Sequence, residues 1–127
     1  MSTQDEVRLT VPATPEFLRL ARVTATGLAS RLGFTYDQVE DLRLAIDELC
    51  FALIGTKGKV GTVNLQYHVA ADGLEVEGVG WFEEDVAQGP TLSEFSQQIL
   101  RALVDDYGVS RDLDGRPRFR LVKRRTA

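Results

Sequence analysis

The chain has 127 residues, of which 43% are hydrophobic and 27% are charged, and its formal net charge is −4. This length and composition are typical of one globular domain, residues 1–127, and they exclude a disordered chain and a disulfide-stapled mini-protein. The acidic balance argues against direct binding of nucleic acid, because proteins that bind nucleic acid neutralise its phosphates with a basic surface.

The first half of the chain predicts one strand and two helices. The segment EVRLTV alternates polar and apolar residues with the period of a half-buried strand. Thr14 precedes Pro15, which is a typical helix start, and this helix is expected to run to Leu32 and to end before Gly33, a plausible C-cap. Thr35 and Gln38 have the spacing of a capping box, so a second helix is predicted to start there and run to Ile54.

The second half predicts a hairpin, a third helix and two further strands. The segments TVNLQYHV and LEVEGVGWF alternate on either side of an ADG turn. After the loop EEDVAQGPT, Thr91 and Glu94 offer a capping box for a helix that buries Phe95 and Ile99 and ends near Tyr107. YGVSRD then indicates a short strand, and RFRLVKR indicates a closing strand.

The order of these elements predicts the fold class. A strand, two helices, two strands, one helix and one or two strands suit an α+β two-layer sandwich. We expect a mixed or antiparallel sheet of four to five strands that is covered on one face by three helices.

Cysteine usage and hydropathy indicate the compartment. Cys50 is the only cysteine, and its place in an apolar helical run favours a buried thiol over a reactive one. No stretch approaches the roughly 18 apolar residues of a membrane span, and MSTQDEVRLT lacks the pattern of a signal peptide. We expect a cytoplasmic protein that does not bind membranes.

Three segments resemble one protein family. DLRLAIDELC, residues 41–50, is similar to the N-box helix of bacterial anti-sigma-factor serine kinases of the RsbW and SpoIIAB type, in the GHKL superfamily. ARVTA, residues 21–25, resembles their first helix, and ILRALVDDYGV, residues 99–109, resembles their last helix and the strand after it. The resemblance covers nearly the whole chain and implies the histidine-kinase-like ATPase fold.

The resemblance also implies a catalytic pattern, and the N-box departs from it. In the family an acid of this helix acts as general base, and an asparagine four residues later holds the magnesium ion of ATP. Glu48 stands in the place of the acid, but Ala52 stands in the place of the asparagine. A methyl group offers no oxygen ligand, so we expect Glu48 to be a vestigial general base, a residue that contacts a partner, or an ordinary solvated residue.

Two further motifs of the family are incomplete. Gly78 stands where an aspartate binds adenine, and Phe82 stands where the second glycine of that motif would be, while Gly80 is retained. The segment EFSQQ replaces a glycine-rich lid that approaches the phosphates, and Gly89 alone cannot rebuild it. These losses predict a protein without kinase activity and without a bound cofactor.

Two alternatives remain open. A divergent kinase could bind ATP and recruit magnesium through Glu83, Glu84 or Asp85. A small-molecule-binding regulatory domain could instead reuse the emptied cleft, with a pocket lined by Glu48, Trp81 and Phe82.

The partners are implied by the resemblance. Arg22 matches an arginine on the surface that contacts both the sigma factor and the competing anti-anti-sigma protein, and arginine suits such contacts through its bidentate fork. An ordinary exposed arginine is the alternative. We expect an alternative sigma factor and an anti-anti-sigma protein of STAS type as partners, and a homodimer as the assembly.

The histidine, the possible metal ligands and the basic C-terminal segment are expected to have structural roles. His68 is the sole histidine and lies on the polar side of a predicted strand, so a surface residue is expected. No set of residues has the spacing of a metal site. The basic segment RPRFRLVKRR alternates, which favours a solvated strand face over a docking patch.

Overall fold

A computed structural model describes residues 5–84 and 90–126. The described elements, in chain order, are β1 (Asp5–Pro12), α1 (Pro15–Arg31), α2 (Tyr36–Ile54), β2 (Gly61–Ala70), β3 (Gly73–Phe82), α3 (Glu94–Leu103), β4 (Asp106–Arg111) and β5 (Pro117–Arg124). The predicted order of elements and the α+β class are confirmed.

The five strands form one sheet in the order β1-β2-β3-β5-β4. Every neighbouring pair of strands is antiparallel. Along β2, the side chains of Val63, Leu65 and Tyr67 are buried, while their polar neighbours are only half-buried. This alternation is that of a sheet with its helices on one face, as the sequence predicts.

Helix α1 is held against the sheet by small side chains and by one hydrogen bond from a tyrosine. α1 buries Ala21, Ala25 and Ala29, whose short side chains allow the helix to lie close to the sheet. The hydroxyl of Tyr67 donates a hydrogen bond of 2.9 Å to the carbonyl of Ala21 and so fixes α1 over β2. Burial raises the pKa of Tyr67 above its ordinary range, because the charged form would lose its solvation.

α2 begins at the predicted capping box. The amide of Gln38 donates to Thr35 Oγ1 over 3.2 Å, and the amide of Thr35 donates to Gln38 Oε1 over 3.0 Å. Gln38 is itself buried, and its Nε2 donates to the carbonyl of Arg124 in β5. This contact fixes the start of α2 against the sheet, and Cys50 near its end is buried as predicted.

α3 differs from the prediction at both ends. Ser93, not Thr91, caps the helix, and its hydroxyl accepts from the amide of Ser96. The helix ends at Leu103, because the chain turns into β4 and the last carbonyl accepts a hydrogen bond from Lys123 Nζ. The expected burial of Phe95 is wrong, since that side chain is 71% exposed.

The basic residues of β5 form a strand face, as predicted. Arg118 Nη2 lies 3.4 Å from Glu77, and Arg120 contacts both Glu75 and Asp106. The hydrogen bond from Arg120 holds the pKa of Asp106 below its usual range. These cations are therefore paired within the chain. Among the described residues, no helix has the length and hydrophobicity that a membrane crossing requires.

Candidate functional site

Glu48 is a residue of α2, and its carboxylate accepts a hydrogen bond from a side chain of α3. Its Oε1 accepts a hydrogen bond of 2.5 Å from the hydroxyl of Ser96, in the first turn of α3. The hydroxyl of Ser93 donates in turn to Ser96 over 3.1 Å. The segment EFSQQ, where the resemblance implies a glycine-rich lid, lies in helix α3. One of its side chains, that of Ser96, binds the carboxylate of Glu48.

A cavity of about 500 Å³ lies at one end of the sheet. We call it the sheet-end cavity; it is bounded by Ala52 near the end of α2, by Trp81 and Phe82 at the end of β3, and by the turn between β4 and β5. Trp81 and Phe82 thus line a pocket, as one of the alternatives predicts. Glu48 is not among its lining residues, because its carboxylate is bonded to Ser96 instead.

The space beside Gly78 is filled by an aromatic ring. Gly78 pairs with Phe119 of β5, and a Cβ atom at Gly78 would lie only 2.3 Å from Phe119 Cε2. Real Cβ atoms do not approach other atoms this closely. Phe119 is fully buried, so its ring has little freedom to give way.

A second ring lies against Gly80. A Cβ atom at Gly80 would lie 2.4 Å from Phe82 Cζ. Phe82 stands where the resemblance implies a glycine, and its ring lies against Gly80. The glycines of VEGVGWF therefore make room for aromatic side chains, a packing role.

These residues do not fit the magnesium and ATP pattern that the resemblance implies. Ala52 offers no oxygen to a metal, and an aspartate at Gly78 would collide with Phe119. Glu83 and Glu84 line the sheet-end cavity and could offer carboxylates there. Asp85 and Gly89, which the sequence also singles out, lie outside the described residues.

Arg22 lies in a groove between α1 and α2. Its Nη1 donates to Asp47 Oδ2 over 3.1 Å, so the guanidinium is oriented by the neighbouring helix. The groove has a volume of about 370 Å³ and includes Arg19 and the half-exposed ring of Phe51. We call it the α1–α2 groove.

His68 lies on the open face of the sheet with two carboxylates. The ligand atoms of His68, Glu75 and Glu77 lie within 4.8 Å of one another, which sequence spacing does not reveal. Arg120 contacts Glu75, and Arg118 contacts Glu77. A metal ion there would have to displace both arginines, so the arrangement is that of a charge ladder across strands.

Three residues of these sites are absent from the sequence predictions. Ser96 and Asp47 are polar residues of helices, and only the helix packing brings them to Glu48 and Arg22. Phe119 carries a usable signal, because it is an apolar residue on the inner side of the closing strand. Its position opposite Gly78 depends on the strand register, which the sequence does not reveal.

Comparison with known proteins places the chain among curated relatives, although no protein-family model matches it. The serine-protein kinase RsbW of Oceanobacillus iheyensis is 33% identical over 129 aligned positions, and the alignment covers 87% of this chain and 82% of the relative. RsbW of Bacillus subtilis is 40% identical over 75 residues, or 57% of this chain and 47% of the relative.

RsbW of Halalkalibacterium halodurans is 37% identical over 73 residues, or 57% of this chain and 45% of the relative. The chain thus spans about half the length of these last two relatives. The match to the Oceanobacillus protein extends over most of both chains. The chain belongs to the RsbW family of serine-protein kinases.

Proposed function

We propose that this chain is an anti-sigma factor that binds an alternative sigma subunit of RNA polymerase, or a competing anti-anti-sigma protein, without transferring phosphate. The setting proposed for it is the cytoplasm, and the assembly a homodimer. Family membership supports the anti-sigma role, and the rings beside Gly78 and Gly80 support the absence of nucleotide chemistry.

The observation that carries the proposal is the oriented arginine of the α1–α2 groove. Asp47 binds one side of the Arg22 guanidinium, and the side chain keeps 28% of its surface exposed. A partner carboxylate can therefore meet an arginine whose rotamer is already restricted, which reduces the entropic cost of binding. Phe51, which is 53% exposed, adds an apolar contact beside this charge.

Release of the sigma factor would then follow from partner exchange. Two proteins that compete for the α1–α2 groove are distributed by their affinities and concentrations. Kinases of this family are expected to bias the exchange by phosphorylating the antagonist. In a chain with Ala52 and Gly78, binding equilibria alone would set the outcome.

The test is affinity capture from a native lysate with the tagged chain, an Arg22→Glu variant and an Arg31→Glu control. Arg31 is exposed on the same helix but does not line the α1–α2 groove. Capture of a sigma factor or an anti-anti-sigma protein by the wild-type chain and the control, and not by Arg22→Glu, supports the proposal. Retention of the same partner by all three chains would refute the role of the groove.

A divergent serine kinase is the second candidate function. The names of the relatives and the two carboxylates in the sheet-end cavity, Glu83 and Glu84, favour it. A real nucleotide site would raise the melting temperature in proportion to occupancy by MgATP. The absence of a shift at millimolar MgATP, together with no phosphate transfer to a captured anti-anti-sigma protein, would eliminate this candidate.

A further inference from the structure

We propose that the sheet-end cavity binds a small aromatic carboxylate. This inference goes beyond the proposed anti-sigma function and concerns a different surface from the Arg22 side chain. Three features carry it: an exposed indole with a cation beside it, a half-buried lysine that forms no ion pair with any described residue, and a volume that suits a small organic ligand.

The indole of Trp81 is the first feature. It is 47% exposed, although it is the only tryptophan of the chain and a large apolar side chain. The guanidinium of Arg116 lies 3.5 Å from the ring centroid, and Asp114 binds that guanidinium over 2.9 Å. The contact with Arg116 restrains the indole at the wall of the cavity, where an aromatic ligand can pack against its exposed surface.

Lys59 supplies the charge. Its backbone amide donates to the carbonyl of Ala13 over 2.8 Å, which anchors the loop that carries it. Its side chain lines the sheet-end cavity, and within residues 5–84 and 90–126 it forms no ion pair. Unlike Lys59, the acidic residues of the cavity are either paired or exposed. Asp114 forms an ion pair with Arg116, and Glu83 and Glu84 are exposed.

This distribution favours an anionic ligand over a cationic one. A carboxylate that reaches Lys59 would gain a charge-assisted bond in a partly desolvated place, where such bonds are stronger than at the surface. An amine that binds Glu83 or Glu84 would do so at exposed side chains, where ion pairs contribute little. We therefore expect the cavity to favour a negatively charged ligand at Lys59.

The volume suits a ligand with one or two rings. The cavity measures about 500 Å³, within the range of about 300 to 1,000 Å³ that is typical of small-molecule sites. Phe82 and Pro117 add apolar walls beside Trp81. A fused bicyclic ring can lie in this space with its carboxylate directed to Lys59.

The experiment uses three probes that share one ring system and differ in charge: 1-naphthoate, 1-naphthamide and 1-naphthylmethylamine. The single indole N–H of Trp81 gives one resonance in heteronuclear NMR, so its shift reports binding at the proposed wall directly. We expect saturable shifts with 1-naphthoate, weaker binding of the amide and weakest binding of the amine. Stronger binding of the amine, or no saturable shift with 1-naphthoate, would overturn the proposal.

Two variants test whether Lys59 provides the positive charge that binds the carboxylate. Lys59→Gln should weaken 1-naphthoate binding about tenfold, the loss of one charge-assisted bond, and leave 1-naphthamide unchanged. Lys57→Gln is the matched control, because Lys57 is an exposed lysine of the same loop outside the cavity lining. An equal loss in both variants would refute the role of Lys59. Displacement of 1-naphthoate by MgATP would overturn the ligand class in favour of a nucleotide.

Discussion

Phe119 and Gly78 occupy one space between them: the ring of Phe119 lies where a side chain at position 78 would begin. The two residues are partners in the register of β3 and β5, and a Cβ atom at Gly78 would lie 2.3 Å from the ring. The glycine is therefore required by the phenylalanine that faces it. The position at which the resemblance implies an adenine-binding aspartate is therefore packed against the core residue Phe119.

This relationship predicts the effect of restoring the aspartate. Gly78→Asp should lower the free energy of unfolding by about 3 kcal/mol, because it overpacks the core and buries a carboxylate. In a Phe119→Ala background, which itself costs about 3 to 5 kcal/mol, the cost of the aspartate should fall by at least about 1 kcal/mol. Urea denaturation of the four chains measures this coupling.

Gly108→Asp is the control for this cycle. Nothing lies within 4 Å of a Cβ atom built at Gly108, in the neighbouring edge strand. We expect a change of less than about 1 kcal/mol in the free energy of unfolding, because the added side chain meets no neighbouring atom at its Cβ position. Strict additivity of the Gly78 and Phe119 substitutions would contradict the overlap.

The hydrogen bond between Ser96 and Glu48 is expected to stabilise the packing of α3 against α2. Ser96→Ala should lower the free energy of unfolding by about 1.5 kcal/mol, because a hydrogen bond to a charged, part-buried acceptor is lost. Amide exchange in α3 should accelerate more than in α2, since the bond joins these helices. Ser110→Ala, at an exposed serine of β4, is the control. Unchanged exchange in α3 would show that its packing does not depend on Glu48.

The ion pair of Arg22 and Asp47 predicts that partner binding and stability can be separated. Both side chains are partly exposed, and such pairs contribute about 1 kcal/mol or less. Arg22→Glu should therefore leave the urea midpoint nearly unchanged while it abolishes partner capture. A large loss of stability would mean that the capture experiment reports unfolding, and Arg22→Gln would then be the variant to use.

Cys50 should resist alkylation in the folded chain. Burial, with a smaller effect of the Asp47 charge, raises the pKa of Cys50 to about 12. The reactive thiolate is therefore scarce near neutral pH, and the thiol is also inaccessible. Iodoacetamide should modify the chain in urea and not in buffer, as measured by intact-mass spectrometry. Rapid modification in buffer would indicate that α2 opens.

Restoring the metal ligand alone should not restore catalysis. Ala52→Asn adds an amide oxygen at the sheet-end cavity, but Gly78 and the helical EFSQQ segment remain. We expect no ATP hydrolysis above the wild-type level in a coupled assay. Measurable turnover would show that the nucleotide motifs lie elsewhere in the chain than the resemblance places them.

The sequence by itself determined the elements and the fold class. Periodicity located all five strands, and the capping box of Thr35 and Gln38 located the start of α2, because these signals depend only on neighbouring residues. The same local reasoning failed at α3. Thr91 and Ser93 are both capable caps there, and the choice between them depends on the packing of the helix.

Only the tertiary structure decided what the candidate sites contain. Sequence reasoning singled out Glu48, Arg22 and Gly78, but their partners Ser96, Asp47 and Phe119 are 48, 25 and 41 positions away along the chain. These contacts are set by helix packing and strand register, which no local pattern encodes. The local sequence therefore indicated where the family motifs are expected to be incomplete, and the packing showed which side chains lie at those positions.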